Sequence, residues 1–105
     1  MHNWMENVLL TVIIPTYNSE KTLSETLQSV VNQNFSNLEC CIIDGNSTDS
    51  TLAIIKKFCG QHGFIKFTSE PDKGIYDAMN KGIDMAQGNY LFLWVVTMFF
   101  ILNVS

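Results

Sequence analysis

Ser69-Glu70-Pro71-Asp72-Lys73-Gly74-Ile75-Tyr76-Asp77-Ala78-Met79-Asn80-Lys81-Gly82-Ile83-Asp84-Met85-Ala86-Gln87-Gly88-Asn89-Tyr90-Leu91-Phe92-Leu93 sets three kinds of segment end to end. Residues 69–73 are charged and turn-forming. Ile75, Met79, Ile83 and Ala86 then recur at helical spacing, and Gly88 stops them. Tyr90-Leu91-Phe92-Leu93 is apolar and opens a strand. Loop, amphipathic helix and buried strand in that order form the second half of a strand–helix–strand unit, which calls for a parallel sheet.

The same order repeats upstream. Val8-Leu9-Leu10-Thr11-Val12-Ile13-Ile14 is an apolar, β-branched run ending at Pro15, the pattern of a strand covered on both faces. After the polar turn 16–19, Leu23, Leu27, Val30 and Val31 mark a helix face, with Thr22 and Glu25 spaced like a capping box. Leu38-Glu39-Cys40-Cys41-Ile42-Ile43 is a second strand, ending at Asp44-Gly45. Asn46 to Ser50 supply helix-capping side chains ahead of a second helix face at Leu52, Ile55 and Phe58. Phe64-Ile65-Lys66-Phe67 is a third strand. Strand and helix alternate four times, so the fold class is α/β with a mostly parallel sheet and flanking helices.

At 105 residues and 47% hydrophobic, the chain suffices for one domain or one piece of a domain. A net charge of −4 without a basic cluster argues against nucleic acid as a partner. Cys40 and Cys41 are adjacent and would face opposite sides of a strand, so free buried thiols in a reducing, cytoplasmic compartment are expected. Met1 to Asn7 lack the basic start of a secretory signal. Leu91 to Leu102 is apolar but for Thr97, yet a membrane-spanning helix needs about 20 residues.

Ligands of open parallel sheets bind beyond the carboxyl ends of the strands. That rule makes residues 15–18, 44–49 and 70–73 the lip of a cleft. No Gly-x-Gly-x-x-Gly follows the first strand and no Gly-Lys-Ser/Thr occurs, which leaves out the usual glycine-rich phosphate cradles. A nucleotide here would be held by an aromatic ring, Tyr17, and a carboxylate, Asp44, which accepts hydrogen bonds from a base imide or ribose hydroxyls. By spacing alone, Asp44-Gly45 reads first as a plain turn and Asp49 as a helix cap.

Three motifs taken together narrow this. Val12-Ile13-Ile14-Pro15-Thr16-Tyr17-Asn18, Ile43-Asp44-Gly45-Asn46-Ser47-Thr48-Asp49 and Glu70-Pro71-Asp72-Lys73-Gly74-Ile75-Tyr76-Asp77-Ala78-Met79-Asn80-Lys81-Gly82 resemble, in order and spacing, family 2 glycosyltransferases of the GT-A fold. More narrowly, they resemble the bacterial members that build capsule, O-antigen or other exopolysaccharide. The resemblance implies a Rossmann-like nucleotide-binding half in which Pro15, Thr16, Tyr17 and Asn18 line the base and ribose site. It implies that Asp44 bonds the base, that Lys73 faces the diphosphate and that Asn80 faces the cleft from the third helix. Glu20 either bonds near the ribose or complements a helix dipole. Tyr76 and Asp77 are as readily a packing residue and a solvated helix residue respectively as functional ones. The implied partners are a nucleotide-diphosphate sugar, a UDP-sugar in this reading, and a glycan or lipid-linked acceptor. Peripheral association with the inner face of the cell membrane belongs to the same expectation.

The family's fourth strand ends in an acidic pair that holds Mg2+ or Mn2+, and a later Asp or Glu deprotonates the acceptor for inverting transfer. Here residues 94–105 contain no carboxylate side chain, so the resemblance supplies neither metal ligands nor catalytic residues. Read from the third base of the Trp94 codon, the tail's codons admit Gly-Ser-Asp-Asp-Val-Leu-Tyr, with the Gly and Val forced. Residues 1–93 are accordingly expected to be the nucleotide-sugar-binding part, and residues 94–105 an out-of-frame hydrophobic tail. A true strand or short helix, or an interfacial anchor, are the other readings of the tail. The expectation is a truncated transferase without turnover; the alternative is a nucleotide-binding or interaction module that never catalysed.

Overall fold

In a computed structural model of the chain, residues 10–33, 37–87, 90–95 and 98–103 are described, with side chains as far as residue 87. Val8 and Leu9 of the expected first strand, and the expected helix stop Gly88, lie outside the described residues.

The elements are β1 (Leu10–Thr16), α1 (Leu23–Val31), β2 (Leu38–Asp44), α2 (Thr51–Gln61), β3 (Ile65–Ser69), α3 (Ile75–Met85), β4 (Tyr90–Val95) and β5 (Met98–Asn103). They build one sheet of order β3-β2-β1-β4-β5. The pairs β1–β2, β2–β3 and β1–β4 are parallel, and β5 runs antiparallel along β4. The chain steps outward from β1 to β2 and β3, then crosses back to place β4 on the other side of β1. Such a reversal opens a crevice at the carboxyl end of the sheet. Trp94 and Val95 continue β4, and much of the apolar tail forms β5.

Alternation along the central strands divides the core into two layers. Val12, Ile14, Cys40 and Ile42 face α1 and α2, where they meet Leu23, Leu27, Val30, Ile55 and Phe58. Ile13, Cys41 and Ile43 face α3, with Ala78 as its buried partner. The adjacent cysteines thus lie on opposite faces, free and buried. Burial above all pushes the Cys41 thiol up to about 11, so it carries no thiolate at neutral pH.

Two local expectations differ from what is found. Thr22 stands at the start of α1 but makes no side-chain cap, so the Thr22–Glu25 capping box does not form. The inner face of α3 is Ala78 and Gly82, while Ile75 is 44% exposed. A Cβ on Gly82 would lie 2.5 Å from Ile13 Cγ2, so the helix rests on β1 at a distance only glycine permits. The large residues Met79 and Ile83 flank this contact, half-buried against the same layer.

Pro15 sits inside β1 without an N–H to donate. It is tolerated because the β4 pairing ends at Ile13↔Leu93, so that position has β2 alone beside it. Farther down the sheet, Glu39 is buried and gathers three donors: Thr11 Oγ1, the Gln87 N–H at 2.6 Å, and Lys66 Nζ at 2.8 Å. Lys66 also donates to the Met85 carbonyl at 3.3 Å. The exit of α3 is therefore pinned to β2 and β3. Burial pulls the Glu39 carboxyl upward, but these donors outweigh it and hold the group below its ordinary value. Among the described residues no helix is long and apolar enough to cross a membrane.

The two glycine environments predict opposite responses to one change. Gly82→Ala overpacks the Ile13 contact and is expected to cost about 1–3 kcal/mol. Gly60, within α2, has nothing within 4 Å of the place a methyl would take, so Gly60→Ala should stabilise by up to about 1 kcal/mol. Thermal melts of both variants check the signs.

Candidate functional site

The three loops that leave β1, β2 and β3 meet at the carboxyl edge, and what joins them is Asp44. It ends β2, has no exposed surface, and accepts four hydrogen bonds. Oδ1 receives Thr16 Oγ1 at 2.9 Å and the Ser47 hydroxyl. Oδ2 receives the Ser47 N–H at 2.9 Å and Ser69 Oγ at 2.8 Å. One carboxylate thus ties the ends of three strands. Burial raises the Asp44 carboxyl, but the hydrogen bonds from Ser47, Ser69 and Thr16 prevail and hold it below its ordinary value of 3.8. The ladder also closes locally, with Gly45 N–H donating to Thr16 O and Glu70 N–H to Asp44 O.

Around this knot the loops brace one another. Asn18, at φ 47°, donates its N–H to Ser47 Oγ and accepts the Thr48 N–H on its side chain at 2.8 Å. Short polar Asn tolerates this left-handed backbone better than most residues. Glu20 accepts the Ser50 N–H, and Asp49 accepts the Thr51 N–H, so both carboxylates serve the start of α2. Ser19 N–H donates to Thr51 Oγ1 at 2.8 Å. The third loop is held by α3: Lys81 Nζ donates to the Pro71 carbonyl at 2.9 Å and pairs with Glu70 and Asp77. Asp77 accepts the Lys73 N–H at 2.9 Å. Asp77 is therefore an organiser of the loop.

Between the braced loops lies a groove of about 400 Å³, lined by Tyr17, Gly45, Asn46, Thr48, Pro71 and Asp72. A smaller one of about 220 Å³ adjoins it and brings in Pro15, Thr16, Gly74, Ile75 and Ala78. Tyr17 is 60% exposed, its ring available as a stacking surface. Of the residues expected from sequence, Pro15, Thr16 and Tyr17 line these grooves. Asn18 and Glu20 stitch loops together. Lys73 and Asn80, on the loop and on α3, line neither groove.

Asp44, expected to touch a base, lies beneath the floor with its oxygens engaged by the protein. Gly45, Asn46, Thr48, Pro71 and Asp72 belong to the lip segments that topology marks, yet nothing in their identity alone singles them out. Only the folded loops show that Asp72 leans over Gly45.

A divalent cation finds no match here. No group of three His, Cys, Asp or Glu side chains among the described residues could hold one. Asp44 is saturated, and Glu20, Asp49 and Asp77 accept backbone N–H groups. These residues do not fit a metal.

The depressed Asp44 carboxyl gives a signed pH dependence. With its folded pKa below the ordinary 3.8, its stabilisation is full well above pH 3.8 and is lost as pH falls through that value and then through the lower folded one. Asp44→Asn should destabilise by about 2 kcal/mol at neutral pH, the scale of hydrogen bonds to a charged group. It should also flatten the acid limb of stability between about pH 5 and pH 2, measured by urea melts across that range.

Comparison with known proteins places this geometry. The family model described as "Glycosyl transferase family 2" matches residues 11–98. The chondroitin synthase of Escherichia coli is 36% identical over 83 residues, covering 79% of this chain and 12% of that protein. The mannosyltransferase PcManGT from Pyrobaculum calidifontis, solved with GDP-Man and Mn2+, superposes with a TM-score of 0.79 at 26% identity, over 85% of this chain and 27% of that one. S. aureus TarS in complex with UDP-GlcNAc superposes with a TM-score of 0.77 at 30% identity, over 84% of this chain and 26% of that one. The chain thus spans about a quarter or less of these three proteins.

Proposed function

The chain belongs to glycosyl transferase family 2, and we propose that it supplies the nucleotide-sugar-binding part of an inverting transferase. The donor in this reading is a UDP-sugar and the acceptor a glycan of bacterial polysaccharide biosynthesis. The observation that carries it is the groove at the carboxyl edge, where an exposed aromatic ring, an amide, hydroxyls and a carboxylate converge from three loops. Its volume lies in the range of small-molecule sites. Support comes from two structural relatives, one solved with GDP-Man and the other with UDP-GlcNAc.

In this proposal Tyr17 stacks on the base while Pro15 and Thr16 shape the adjoining wall. Asn18 and Asp44 act from below, by holding the first two loops in register. Lys73, on the third loop, offers its ammonium to the diphosphate. Glu20 steadies α2, and Asn80 stands on the helix face beyond the third loop. Residues 94–105 contribute no carboxylate side chain, and the described residues hold no metal-binding cluster, so the chain binds donor without transferring its sugar.

Calorimetry with UDP, paired with a sugar-transfer and donor-hydrolysis assay in Mn2+, tests both halves. The expected result is saturable UDP binding without turnover. Lys73→Ala should weaken UDP about tenfold while leaving uridine unchanged, as removal of one cation from a diphosphate would. Absence of any UDP heat sinks the nucleotide reading, and measurable turnover sinks the claim of binding alone.

A further inference from the structure

Gly45 follows the buried Asp44 directly, and its missing side chain is filled by another residue. A Cβ built on Gly45 would meet three atoms of Asp72: Oδ2 at 2.9 Å, Cγ at 3.3 Å and Oδ1 at 3.5 Å. The Asp72 carboxylate therefore occupies the space where a side chain of the second loop would stand. Its Oδ1 accepts the Gly74 N–H at 3.1 Å, which fixes the group's orientation. Lys81 and Asp77 hold the flanking backbone at Pro71 and Lys73. Oδ2, the atom nearest the Gly45 position, takes no hydrogen bond among the described residues. Asp72 lines both grooves, as does Tyr17.

Asn46 lines the same groove at φ 69°, with its amide exposed. The groove thus offers three complementary chemistries side by side: a ring face, an acceptor oxygen and an amide donor.

Resting on the nucleotide reading above, we propose that Asp72, admitted by Gly45, is the residue that reads the base and selects uracil over cytosine. Uracil presents one N–H donor at N3, flanked by two carbonyl acceptors. A single free carboxylate oxygen accepts that N–H, and the Asn46 amide donates to a neighbouring carbonyl. Cytosine presents a bare acceptor at N3, which Oδ2 repels. Asp44 cannot do this work, because it is fully buried with four donors already bound. The two carboxylates divide the labour: one builds the floor, and the other faces the ligand.

Calorimetric titration of the full chain with UDP and with CDP tests this on wild type, Asp72→Asn and Gly45→Ala. Wild type should prefer UDP. Asp72→Asn should weaken UDP about tenfold or more. It should also bring the UDP/CDP ratio towards or below one, since an amide can donate to cytosine N3. Gly45→Ala should weaken UDP with its melting temperature unchanged, because the nearest atoms to the added methyl are those of Asp72. If wild type binds UDP and both variants keep its affinity and its ratio, the inference is overturned and the nucleotide reading stands. If wild type binds neither nucleotide, the nucleotide reading itself fails and this inference with it.

Discussion

A carboxylate with no exposed surface and four hydrogen-bond donors is the constraint on which the site depends. Taking Asp44 out of water would be costly unless its charge were met, and Thr16, Ser47 and Ser69 meet it from the ends of β1, β2 and β3. The donors belong to different strand ends, so the bonds fix the relative height of the three loops at the edge. The groove exists because its floor is rigid. Residues above that floor, Tyr17 and Asp72 among them, remain open to a ligand.

The second constraint is the seating of α3. Ala78 and Gly82 let the helix come down on Ile13, and its far end is tied to Lys66 through the Met85 carbonyl and to Glu39 through the Gln87 N–H. With its body and exit fixed, the helix presents Asp77 and Lys81 to the loop before it. That loop carries Asp72 to a position over Gly45. Core packing on one side of β1 thus sets the geometry of a polar group at the sheet edge, a chain of contacts running from Ile13 through α3 to the groove.

Much of the fold is legible in the sequence because its signals are strong and local. The apolar runs that stop at Pro15 and Asp44 read as covered strands, and alternation sorts Cys40 from Cys41 correctly. The face of α3 is less legible: the eye follows Ile75, Met79 and Ile83, but close approach rewards the small residues Ala78 and Gly82. The capping box at Thr22 fails because a short motif says nothing of competing partners, and the Thr22 N–H that Glu25 would accept goes to the Ser19 carbonyl at 3.1 Å instead. In the site, topology identifies the three lip segments and an aromatic ring at Tyr17. The division between Asp44 and Asp72 is invisible in one dimension, since it depends on which carboxylate the fold buries and which it leaves beside a glycine. The bond from Lys81 to a backbone carbonyl ten residues away gives no warning either.

A floor built on Asp44 supports a nucleotide groove at the carboxyl edge of the sheet, and this is the central claim. Mapping backbone amide NMR shifts during a UDP titration tests it most directly. The expected pattern is saturable shifts at Tyr17, Gly45, Asn46, Thr48 and Asp72, with the amides of α2 beyond its first turn unmoved. Saturable shifts that cluster elsewhere, or none at all, would contradict it.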